Sequence, residues 1–102
     1  MKIAIATEKK DPKGTVSDRA GRATFYLIFD DQKKLLETIK NPFSMGGGGA
    51  GFSVAKMLAD KQVATIIAGK FGPKMSGALE ERNVSFISFS GSIPDALTTA
   101  LS

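Results

Sequence analysis

The sequence predicts an α/β fold: a three-layer α/β/α sandwich around a five-stranded mixed sheet of strand order 3-2-1-4-5. Three observations predict it. Residues 2–7 form an almost wholly apolar run, as expected of a central strand covered on both faces. Two further strand-like segments, 24–30 and 34–39, follow at hairpin spacing across Asp30-Asp31-Gln32-Lys33. From residue 51 onward, helical periodicity alternates with short apolar runs, the pattern of parallel strands joined by crossover helices.

Each element has its own justification. Residues 8–21 are polar, carry Pro12, Gly14 and Gly21, and read as a loop with a short extended piece at 15–17. The second strand is aromatic and β-branched. The third shows charges along its length and belongs at a sheet edge. Asn41-Pro42 ends it, and the run Gly46 to Gly49 leads into a first helix over 51–61, with Phe52, Ala55, Leu58 and Ala59 expected inward. Residues 64–68 form a buried fourth strand. Pro73 sits in the first turn of a second helix, where its missing N–H costs nothing, with Met75, Ala78 and Leu79 inward and Asn83 as its stop. Residues 84–89 are the fifth strand. Ser92 three residues before Asp95 resembles a capping box opening a last helix, with Ala96, Leu97, Ala100 and Leu101 inward.

This order constrains geometry. A meander sets strand 2 antiparallel to strand 1, and right-handed crossovers set strands 4 and 5 parallel to it. Strands 1, 3, 4 and 5 then end at one sheet edge, where open α/β folds bind ligands. The loops collected there carry Lys9, Lys10, Lys13, Arg19, Arg22, Lys40, Lys70 and Lys74 against Glu8, Asp11 and Asp18. Eight cations against three anions place the whole excess of the chain's +4 charge at that edge. Two glycine turns open helices at the same edge, 46–51 and 69–73, and a glycine turn feeding a helix presents bare N–H groups at the positive end of the helix dipole.

Composition removes most chemistries. At 102 residues the chain has length for a single domain, 1–102. It contains no cysteine and no histidine, which excludes thiol and imidazole catalysis, disulfides and thiolate-held clusters within the chain. No apolar run approaches the length of a membrane span, and the opening segment is too short for a signal peptide, so the expectation is a cytoplasmic protein without a membrane partner. The charge is mild, with one tyrosine and no tryptophan, so nucleic acid is not an expected partner.

The motifs narrow matters further. Gly46-Gly47-Gly48-Gly49-Ala50-Gly51 fits the dinucleotide pattern G-x-G-x-x-G, but no acidic residue ends the next strand to hold a ribose. The same stretch resembles a Walker A loop with Phe52 where the phosphate-binding lysine belongs. A 3-2-1-4-5 mixed sheet suggests a ribonuclease H-like motif, yet the central strand lacks the carboxylate that two-metal nucleases need. Met57 and Met75 read as packing residues; only Met45 adjoins the glycine run. Nothing here is expected to be an enzyme.

The combination resembles the dinitrogenase iron–molybdenum cofactor biosynthesis family, small ribonuclease H-like domains whose best-known members carry or insert nitrogenase metal-cluster precursors. The features that carry the resemblance are Met1-Lys2-Ile3-Ala4-Ile5, Ser17-Asp18-Arg19-Ala20-Gly21-Arg22-Ala23, Asn41-Pro42, the glycine run, Ile67-Ala68-Gly69-Lys70-Phe71-Gly72-Pro73, and Gly91 before the last helix. Members often carry histidine and phenylalanine in the first loop, where this chain has Arg19 and Ala20. The resemblance implies a non-enzymatic binding or carrier protein for an anionic iron–sulfur or iron–molybdenum cluster precursor, bound non-covalently, with a protein partner in cluster transfer. The expected contacts are charge from Arg19, Arg22 and Lys70, and backbone N–H groups or close approach at Gly48, Gly49, Gly51 and Gly72. A phosphate-ligand or nucleotide-binding regulatory module using the same rim, and a protein-interaction domain, are the alternatives.

Overall fold

The computed structural model describes residues 1–45 and 49–102. Its elements run β1 (Lys2–Thr7), β2 (Phe25–Phe29), β3 (Leu35–Lys40), α1 (Ala50–Asp60), β4 (Val63–Ala68), α2 (Pro73–Glu81), β5 (Ser85–Ser88) and α3 (Ile93–Leu101). The sheet order is β3-β2-β1-β4-β5, with β2 antiparallel to β1 and β3, with β4 parallel to β1, and with β5 parallel to β4. This is the predicted α/β topology. β1 is central because its residues from Ile3 to Thr7 are all buried, so both faces need cover.

Strand alternation sorts the core into two layers. Ala4, Ala6, Tyr26, Ile28 and Ile66 face Val54, Ala55 and Leu58 of α1 and Met75, Ala78 and Leu79 of α2. Ile3, Ile5, Leu27, Phe29 and Ile67 face Ile93, Ala96 and Leu97 of α3. The edge strand β3 is largely exposed, and its pairing with β2 is interrupted by a bulge between Ile28 and Phe29.

One expectation fails on α1. Phe52 is not inward: half of its surface is exposed, and the Arg82 guanidinium lies 5.1 Å from its ring centroid. The inward arc is set by the buried Ala50, Val54, Ala55 and Leu58. At about 100° per residue, Phe52 falls roughly 135° from the centre of that arc. Ala59 likewise lies only at its margin, partly buried.

The helix ends follow their local signals. Asn83 takes a left-handed φ of 58° just beyond α2, and Ser92 caps α3 by accepting the Asp95 N–H at 3.2 Å. Among the described residues no helix is long and apolar enough to cross a membrane.

Candidate functional site

The site is built where the first loop is spliced between the ends of β1 and β4. Ser17 N–H donates to the Ala6 carbonyl at 2.7 Å, and Gly69 N–H donates to the Ser17 carbonyl at 2.8 Å. One step further, Arg19 and Lys70 form a parallel bridge, and Ala20 N–H donates to the Lys70 carbonyl at 3.0 Å. The extended piece expected at residues 15–17 is therefore the start of a seam that brings two loops together. Gly69 is what permits it: a Cβ there would stand 2.7 Å from Asp18 Cα.

Behind the seam, side chains hold the loop in place. Glu8 accepts from Ser17 Oγ at 2.5 Å and from Thr24 Oγ1 at 2.6 Å. Partial burial opposes its ionisation, but the Ser17 and Thr24 hydroxyls and the nearby Arg19 charge outweigh that and hold its carboxyl below the usual 4.5. Tyr26 donates its buried hydroxyl to the Ala20 carbonyl. Burial, reinforced by the Glu8 charge, raises the phenol well above its ordinary value and keeps it a donor. The buried Asn41 amide donates to the Gly21 and Ala23 carbonyls at 3.1 and 2.9 Å, while its Oδ1 accepts from Phe43 N–H at 2.9 Å. The sequence marks Asn41 only as a strand end, yet it staples the loop to the exit of β3.

In front of the seam lies a cleft of about 580 Å³. One wall is the loop at residues 18–22; the other is formed by the beginnings of α1 and α2. Six of the residues singled out from the sequence line it together: Arg19, Arg22, Gly49, Gly51, Lys70 and Gly72. Gly48 lies outside the described residues. Asp18, Lys74 and Met75 also line the cleft and were not singled out from the sequence as contacts, although Lys74 already stood among the cations of that edge. The lining thus carries Arg19, Arg22, Lys70 and Lys74 against Asp18 alone.

The glycines of the cleft have different jobs. A Cβ at Gly51 would lie 2.9 Å from Met75 Cβ, and one at Gly21 would lie 3.2 Å from Gly51 Cα, so these two let the walls pack against each other. Gly49 takes a φ of 89°, which favours glycine for the backbone alone. Gly72 is unlike them: its φ is −72° and a Cβ would meet nothing within 4 Å. Its bare backbone faces a cleft rather than a neighbour.

Both helices that open here lack a side-chain cap hydrogen bond and any acidic residue in the first turn. By contrast α3, which starts away from the cleft lining, has a serine cap and Asp95 in its first turn. The first N–H groups of a helix have no intrahelical acceptor, so two such ends beside four cations make a setting for negative charge. No group of three histidine, cysteine, aspartate or glutamate residues that could hold a metal ion occurs among the described residues.

Comparison with known proteins agrees with this architecture. The apo form of the orange protein from Desulfovibrio gigas superimposes with a TM-score of 0.91 at 26% identity, covering 98% of this chain and 86% of that one. A putative NifB protein from Thermotoga, placed in the DUF35 family, superimposes with a TM-score of 0.81 at 28% identity, covering 97% of this chain and 85% of that one. No curated protein sequence matches the chain significantly. The family described as dinitrogenase iron-molybdenum cofactor matches residues 1–102. The chain belongs to that family.

Proposed function

We propose that this protein is a non-enzymatic carrier that holds an anionic metal cluster, an iron–sulfur or iron–molybdenum precursor, in the cleft by charge and backbone hydrogen bonds. The observation that carries the reading is the cleft itself. Four cations surround two uncapped helix N-termini, with one opposing carboxylate in the lining. A cluster that arrives with its own sulfides and acid groups needs hydrogen-bond donors and positive charge rather than side-chain ligands. Arg19 and Lys70 sit side by side across the seam and would grip it together; Arg22 and Lys74 would approach from elsewhere along the lining. Gly72 would let the cargo come close to the backbone N–H groups of α2, while Gly51, packed against Met75, would line the α1 side of the cleft. Membership of a cofactor family and the likeness to a putative NifB protein support a role in cluster handling, with a protein partner receiving the cargo.

An anaerobic titration tests the class of ligand. A thiolate-capped iron–sulfur cluster anion, ATP and inorganic phosphate would each be followed by the amide shifts of Gly51, Lys70 and Gly72. Tightest binding of the cluster anion, with shifts at those amides, is expected. Preference for ATP or phosphate would favour a nucleotide or phosphate module using the same rim. Turnover of ATP by the pure protein would refute a carrier.

A further inference from the structure

One side of α2 carries a second pattern, which shares Pro73 and Lys74 with the cleft lining and otherwise lies beyond it. Lys74, Gly77, Ala78 and Glu81 line a groove of about 390 Å³, bordered by Pro73 and by the half-exposed Phe52 of α1. Their spacing along the helix sets them on one side of it. Gly77 is exposed in mid-helix, its φ is not left-handed, and a Cβ there would meet nothing within 4 Å. Glycine weakens a helix interior, and no contact among the described residues explains it here.

The charges are placed against the helix as well. Lys74 lies in the first turn and Glu81 in the last, the reverse of what the helix dipole favours. Among the described residues neither side chain has an ion-pair partner.

We propose that this face is self-complementary and that its occupant is a second copy of the chain. When two α2 helices cross antiparallel about a two-fold axis beside the exposed Gly77, with the buried Ala78 beneath the contact, each Lys74 stands opposite the other copy's Glu81. The charges that oppose the dipole within one helix then match the ends of the other. Gly77 leaves the crossing point clear, so the two backbones can approach closely. Phe52 of each copy flanks the contact and leaves water there. The interface rests on the residue pattern of α2 and shares Lys74 with the cleft, so it is tested by self-association of the ligand-free chain, which does not depend on what the cleft holds.

Sedimentation velocity of the full chain from micromolar to millimolar concentration tests this. The expected result is a reversible monomer–dimer equilibrium. Lys74→Glu alone and Glu81→Lys alone set like charges opposite each other twice per dimer, and each weakens self-association by more than roughly tenfold. Mixing these two variants restores a dimer, as a heterodimer, and the double variant self-associates like the wild type. Gly77→Gln blocks the crossing and raises the melting temperature of the monomer, which separates loss of the interface from loss of the fold. A wild type that stays monomeric throughout, a dimer indifferent to both single reversals, or a mixture that does not recover association would each overturn the proposal.

Discussion

Two residues at the seam show how the loop is held. Gly69 has no room for a side chain, because a Cβ there would stand 2.7 Å from Asp18 Cα and 3.1 Å from its carbonyl oxygen. Gly69→Ala must push apart strands of backbone that are hydrogen-bonded to each other, and a loss of about 1–3 kcal/mol is expected by urea denaturation. Glu8 works by charge. Its carboxyl is held below the usual 4.5 in the fold, so its contribution is complete above that value and fades as the pH falls through the lowered one. In a melting series, wild type should therefore be more stable than Glu8→Gln at neutral pH, and the gap should close in acid. A gap that is constant with pH would mean the Glu8 charge contributes nothing. Neither role was legible in the sequence, since both depend on residues nine and more positions apart meeting in space.

At the scale of elements, most of the fold was legible because local signals and hydrophobic period agree. The apolar first strand, the hairpin, Pro73 at the start of α2 and Ser92 at the cap of α3 all act within a few residues of themselves. Phe52 shows where that reasoning ends. Period alone allows an arc that includes it, and only packing against the sheet selects the arc through Val54 and Leu58 instead. Asn41 is another instance, because its three side-chain hydrogen bonds join a strand exit to a loop about twenty residues earlier and to its own turn. Asn41→Ala would leave the Gly21 and Ala23 carbonyls without this partner, and a loss of about 1–3 kcal/mol is expected from thermal or chemical unfolding. The start of α2 offers a cleaner separation of stability from function. Gly72→Asp supplies a capping carboxylate, so the melting temperature should hold or rise by an amount worth about a few tenths of a kcal/mol. The same carboxylate adds negative charge to the cleft, so binding of the cluster anion should fall by about tenfold or more. Equal affinity in this variant would remove the α2 terminus from the binding site.

Across the whole molecule, topology converts a scattered set of cations into one surface. The chain carries a net charge of only +4, but the parallel strands end together and gather Arg19, Arg22, Lys70 and Lys74 around a single cleft. That convergence was legible once the strand order was read, whereas the shape of the cleft was not, because it depends on the close approach of Gly51 to Met75 and of Gly21 to Gly51. The measurement that bears most directly on a carrier role is anaerobic affinity for a thiolate-capped iron–sulfur cluster anion at increasing salt, for wild type, Arg19→Ala, Lys70→Ala and Met45→Leu. Met45 is 95% exposed beside the glycine run and offers a sulfur ligand if one is needed. If charge and backbone donors hold the cargo, affinity falls with salt, each loss of a cation weakens binding by about tenfold, and Met45→Leu binds as wild type does. Affinity that is indifferent to salt, to Arg19 and to Lys70, but collapses in Met45→Leu, would contradict it.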